Sequence, residues 1–147
     1  MLELLVVLII MALAGALVTP SITKGLEGTR LRGAASDLAT FLKHARNLAL
    51  ARKIVYQVIV VPETQSAWLG ALEEEPGQGD KRTGFHPASV AEVFTLPEGV
   101  LVKGEGPLFF AFFPTGIALG GTVELEGGGQ SMKVHVDPVT GLVRIVR

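Results

Sequence analysis

The sequence predicts an α+β protein: a long N-terminal helix, with a membrane half and an amphipathic half, packed against a C-terminal antiparallel β domain. Three observations predict it. Residues 4–23 carry no charge at all. Leu31, Ala35, Leu38, Leu42, Ala45 and Ala49 then fall on one narrow stripe when projected at ~100° per residue, the mark of a helix with one packed face. From Ile54 onward, short runs rich in β-branched residues alternate with Gly/Pro turns, the pattern of strands. The chain therefore divides into an apolar helical half at 1–23, an amphipathic half at 24–53 and a β-rich head at 54–147.

The run 4–23 meets the ~20 residues needed to cross a ~30 Å hydrocarbon core. Glu3 stands just outside it, where a carboxylate is costly enough to ask for a partner. A secretory signal peptide starts with basic residues, and here the early charge is acidic. A buried core helix has a polar edge that Val6, Val7, Ile9 and Ile10 do not supply. A plain single-span anchor explains the length and leaves Glu3 unexplained. Pro20 removes a backbone donor, and with Gly25, Gly28 and Gly33 it predicts a kink or soft zone inside one rod reaching to about Arg52. The competing expectation is a break between two separate helices at that place.

In the head, residues 54–61 and 66–72 read as a strand pair around Pro62-Glu63-Thr64, with Trp68 as a sheet-packing residue. Residues 73–87 form a polar Gly/Pro loop whose three glutamates read as a solvated surface. Strands are expected at 91–96, 100–103 and 108–113, the last buried on both faces because it reads Leu-Phe-Phe-Ala-Phe-Phe. A meander follows at 122–126, 131–137 and 142–146, joined by Gly127-Gly128-Gly129-Gln130 and Pro138-Val139-Thr140-Gly141.

The net charge of −1 hides a division. Residues 24–53 hold seven basic and two acidic side chains (+5), residues 54–147 six basic and eleven acidic (−5), and Glu3 supplies the remainder. A basic stalk carrying an acidic head can steer association with copies or relatives of itself, although two ordinary solvated faces explain the same numbers.

Residues 1–10, Met-Leu-Glu-Leu-Leu-Val-Val-Leu-Ile-Ile, resemble the mature N-terminus of the type IV pilin and type II secretion pseudopilin superfamily. There a short basic leader ending in Gly is cleaved ahead of Phe or Met, Thr, Leu, an apolar residue, Glu and a long apolar helix. Leu2 and Glu3 match the last positions of that motif, Pro20 matches a helix-kinking proline, and Met1 stands at the motif's Leu. Ala45-Arg46, Phe113-Pro114-Thr115-Gly116 and Gly141-Leu142-Val143-Arg144-Ile145 are similar to the GspH/FimT branch of minor pseudopilins and minor pilins. The resemblance implies an assembly role for Glu3, paired with the N-terminal amine of a neighbouring subunit. It implies other pilins or pseudopilins, an inner-membrane assembly platform, the lipid bilayer and, for the precursor, a prepilin peptidase as partners. It also implies a single-pass protein of the bacterial inner membrane, head in the periplasm, later drawn into a pilus or pseudopilus. Charge alone suggests the opposite orientation, since Lys24, Arg30 and Arg32 follow the span.

Enzymatic chemistry finds no footing. His44, His86 and His135 lie far apart without metal-ligand spacing, cysteine is absent, and no nucleophile elbow or phosphate loop occurs. No cofactor or metal is expected. Some relatives are implicated in DNA uptake, and Lys133, Arg144 and Arg147 are the basic residues grouped late in the head, so a nucleic-acid contact is the second reading. A generic anchored β domain is the third, and it predicts that Glu3 is dispensable.

Overall fold

The computed structural model describes residues 2–72 and 90–147, and of residues 16–25 the backbone alone. The first element is a single helix, α1 (Leu2–Arg52), of 51 residues, helical straight through Pro20. At 1.5 Å per residue it is a rod of ~77 Å, the single rod expected to about Arg52, and the competing expectation of a break between two helices does not hold. The helix stops where Lys53 turns to φ 61°, with its N–H donating to Ala49 O at 3.1 Å. Arg52 in the last turn complements the negative end of the helix dipole.

Among the described residues nine strands follow: β1 (Tyr56–Val61), β2 (Ser66–Ala71), β3 (Val90–Thr95), β4 (Leu101–Lys103), β5 (Leu108–Phe112), β6 (Ala118–Leu119), β7 (Thr122–Gly127), β8 (Gln130–Val136) and β9 (Val143–Val146). They form a five-stranded sheet in the order β3-β2-β1-β5-β6 and a four-stranded sheet in the order β4-β7-β8-β9. Every pairing is antiparallel. The β7–β8 hairpin closes on Gly128 and Gly129, both at positive φ, as a two-residue turn that follows the strand twist requires.

Both sheets turn one face to the second half of α1. Leu31, Leu38 and Leu42 are completely buried there, and Ala34, Ala35, Ala39, Ala45 and Ala49 between them are small enough to let the strands come close. From the sheets, Tyr56, Val58, Val60, Leu69, Phe110, Phe112, Val123, Leu125, Val134 and Val136 complete one core. The edge strand β3 is tied to α1 by the Phe41 and Phe94 rings, 5.7 Å apart, and by His44 Nε2 3.3 Å from a Glu92 carboxylate oxygen.

The sheets are joined through Gln65, which sits at φ 50° after a 3₁₀ turn at Pro62–Thr64. Its backbone carbonyl accepts Leu96 N–H at 2.9 Å, its Oε1 accepts Val102 N–H of β4 at 2.8 Å, and its Nε2 donates back to Pro62 O.

The structure corrects one expectation in the head. The aromatic strand is not buried on both faces: Phe110 and Phe112 are buried, whereas Phe109 between them is 55 % exposed. A helix covers only one side of this sheet, so the aromatic run obeys the alternation of a half-buried strand. The short strand β6 was not expected. The polar loop with its three glutamates, and His86, lie outside the described residues.

Candidate assembly surface

The second half of α1 explains the first by contrast. Every described residue from Leu2 to Gly15 is exposed. Leu2, Leu4, Leu5, Val6, Val7, Leu8, Ile9, Ile10, Met11 and Leu13 lie 45–80 % open on all sides of the rod. Covering a large apolar side chain is worth ~1.5 kcal/mol at the low end, so ten of them leave roughly 15 kcal/mol unrealised in water. That equals or exceeds the whole stability of an ordinary domain, ~5–15 kcal/mol. A segment of this kind must be covered by lipid or by other protein. Among the described residues no helix is long and apolar enough to cross a membrane; the side chains of the uncharged run are described only to Gly15, short of the ~20 residues a span needs.

Glu3 is the only charged side chain among the described residues of this projecting half, placed in the first turn of α1 and exposed. A carboxylate there favours the positive end of the helix dipole. It is also the one group whose burial among apolar side chains would require an opposite charge. Pro20 lies within α1, and its side chain is outside the described residues.

The head is fastened to the rod at two levels. Near the projecting half, the β7–β8 turn presses on the helix: a Cβ on Gly128 would stand 2.6 Å from Glu27 Cβ, and Gln130 lies against Gly28. At the far end Arg46 reaches between two turns. Its Nη2 donates to Thr140 O at 3.1 Å, and a Cβ on Gly141 would stand 2.9 Å from its Nε and 2.6 Å from Gly116 O. The Arg46 Nε is buried with no hydrogen-bond partner. Thus Ala45-Arg46, the Phe113–Gly116 turn and Gly141, three separate pieces of sequence, meet in one clamp between head and rod. The sequence pointed to each piece and to nothing that joined them.

Lys133, Arg144 and Arg147 are not gathered on one face. Lys133 and Arg144 point outward from the four-stranded sheet, but Lys133 stands directly opposite Glu124, which also lies 4.0 Å from Lys103. Arg147 lies on the other side, in a shallow depression with Arg32, Gln130, Ser131 and Met132. The neighbouring Asp137 accepts the Val139 and Thr140 backbone N–H groups, each at 2.9 Å. These bonds hold its carboxyl below the ordinary value, Thr140 N–H first, with the Thr140 hydroxyl, Val139 N–H and the Arg144 guanidinium adding. Its role is to shape the β8–β9 turn. Among the described residues no three His, Asp or Glu side chains gather as a metal site.

Comparison with known proteins matches these features to one group. The family model described as type II transport protein GspH matches residues 34–140. The type II secretion system protein H of Xanthomonas campestris pv. campestris is 31 % identical over 147 residues, covering 98 % of this chain and 79 % of that protein. The minor pseudopilin EpsH from the type 2 secretion system of Vibrio cholerae superposes with a TM-score of 0.59 at 19 % identity, over 80 % of this chain and 96 % of its own. The type IV minor pilin FimU of Pseudomonas aeruginosa superposes at 0.57 with 12 % identity, over 81 % and 90 %. At these identities the two structures speak to the fold.

Proposed function

The chain belongs to the GspH family of type II transport proteins, structural pseudopilins and not enzymes, and from that premise we propose that it is a filament subunit held in the bacterial inner membrane by the first half of α1. One observation carries the reading: a bare, apolar helical half with Glu3 as its single charge, projecting from a head whose own core is complete. In the membrane this half is covered by lipid as a single span, with the head in the periplasm; in the filament it is covered by the helices of neighbouring pseudopilins. Leaving lipid for protein involves no loss of apolar cover, so the exchange is nearly neutral for Leu4 to Leu13. Glu3 is then the group that selects the register, because it alone gains from meeting a neighbour's positive charge. The clamp at Arg46 ties head and rod together while the rod moves.

Of the machines that use such subunits, the secretion pseudopilus is favoured by the GspH match and by the protein H relative. The test is Glu3→Ala in the precursor, expressed with the partner subunits. Membrane content should stay unchanged while incorporation into the sheared filament fraction falls about tenfold or more, the equivalent of ~1.4 kcal/mol or more. Normal incorporation of this variant would sink the assembly reading and leave a generic anchored domain.

A further inference from the structure

A depression of about 430 Å³ opens where the four-stranded sheet meets the rod, lined by Arg32 of α1, by Gln130, Ser131 and Met132 of β8, and by Arg147 just beyond β9. The strand register brings Arg147 there: Val146 pairs with Lys133, so the next residue stands beside Met132. Both arginines are exposed, and among the described residues neither has an ion pair or a hydrogen bond. No carboxylate side chain lines the depression. Two like charges gathered without a counter-charge repel each other, and an anion between them turns that repulsion into attraction. A guanidinium is a planar fork of donors that matches phosphate oxygens two at a time. The Gln130 amide and the Ser131 hydroxyl supply further donors.

We propose that this depression holds the phosphate of an anionic phospholipid from the bilayer in which the rod stands. The proposal rests on the membrane reading of α1. Height along the rod selects a lipid over a phosphate free in solution. The uncharged run 4–23 has the length of the hydrocarbon core, so at 1.5 Å per residue Gly28, against which Gln130 lies, is ~8 Å beyond it and Arg32 ~14 Å. An arginine on a helix leans back toward the N-terminus and carries its charge toward the interface on a long apolar stem. The headgroup layer is roughly 5–8 Å deep on each side, so the depression opens at its outer edge. Two uncompensated positive charges favour a headgroup of net negative charge over a zwitterionic one. One pair of arginines suits one phosphate, whereas a nucleic-acid strand calls for a groove that tracks its backbone. A lipid held between α1 and the end of β9 braces rod and head against the bilayer, and it must be let go when the subunit leaves for a filament.

The test uses the full chain in a neutral detergent, titrated with a short-chain phosphatidylglycerol and followed by calorimetry. Phosphatidylcholine with the same acyl chains and inorganic phosphate are the comparison probes. The expected result is saturable binding of phosphatidylglycerol, with a loss of about fivefold for Arg32→Gln or Arg147→Gln alone and about twentyfold for both, and about tenfold weaker binding of the other two probes. Arg30→Gln removes an exposed charge of the same rod outside the depression and should cost less than about twofold. These positions are exposed, so the variants should melt with the parent chain. Equal losses for Arg30→Gln and Arg32→Gln reduce the effect to a diffuse field and overturn the proposal, as does equal binding of phosphatidylcholine. Inorganic phosphate that binds as tightly as the lipid, and is lost in the same double variant, assigns the site to a free phosphate and overturns the lipid. Insertion of the parent chain into phosphatidylcholine liposomes, measured alongside, tests the membrane reading by itself. A chain that stays in solution fails that reading; a chain that inserts, yet binds phosphatidylglycerol regardless of Arg32 and Arg147, fails this proposal alone.

Discussion

Replacing Gly141 by alanine tests the clamp that joins rod and head. Gly141 sits at φ 64°, where an L side chain costs ~1–2 kcal/mol. The new Cβ would also stand 2.6 Å from Gly116 O and 2.9 Å from Arg46 Nε, closer than such atoms approach, so the two turns or the arginine must move. Forced displacement in a packed region costs a further ~1–3 kcal/mol, for a total of about 2–5 kcal/mol. Gly129→Ala is the control, because its φ of 72° carries the same backbone cost while nothing lies within 4 Å of its Cβ. At ~3 °C per kcal/mol for a chain of this size, Gly141→Ala should lower the midpoint by about 6–15 °C and Gly129→Ala by about 3–6 °C. The assay is thermal unfolding of the full chain in detergent, followed by the fluorescence of the single tryptophan, Trp68, which reports on the head. Adding Arg46→Ala should recover part of the Gly141→Ala loss, since one of the two obstructing groups is then gone. If Gly141→Ala melts with Gly129→Ala, the close approach of the turns has no energetic weight and the clamp is refuted.

Acid should loosen the same end of the head. The Asp137 carboxyl is held below its ordinary value, so its contribution is fully present above pH ~4, the unfolded value. It is lost as pH falls through the depressed folded value; Asp137→Asn should therefore flatten the stability profile below pH ~4 and leave the shape above it unchanged, as read by melting between pH 2 and 6. For nucleic acid, the division of Lys133 and Arg144 from Arg147 predicts no retardation of duplex DNA even at about 50 mM salt, where phosphate contacts are strong. A shifted band that disappears with Arg144→Ala and Arg147→Ala together would reverse that expectation and restore the uptake reading.

The alternation of periods was legible because it follows from solvent alone. A 3.6-residue stripe ending near Arg52 and a two-residue alternation after Ile54 each mean one wet and one dry face, and α1 and eight of the nine strands among the described residues fall where those patterns put them. The exceptions have physical causes. β6 has only two residues, too few for a period. Phe109 belongs to a run whose composition suggests burial, but composition does not say how many layers cover a sheet. The clamp was invisible because Arg46, Gly116 and Gly141 are far apart in the chain, and nothing local to Arg46 shows that it ends between two turns. The resemblance picked out those segments as signatures without saying that they touch.

By itself, then, the sequence determined the division of labour: an apolar rod with one carboxylate at its tip, a helix stripe to carry the head, and strands to build it. These are properties of side chains against water, and water acts on each residue where it stands. Only the tertiary structure decided which faces stay open. It covered one side of the five-stranded sheet with α1 and left Val93, Phe109 and Leu119 exposed on the other. It separated three basic residues that lie close along the chain by sending Arg144 and Arg147 to opposite sides of one sheet. It also drew Arg46 into contact with two turns seventy and more positions away. Those outcomes depend on register and packing, in which the position of each residue is set by all the others.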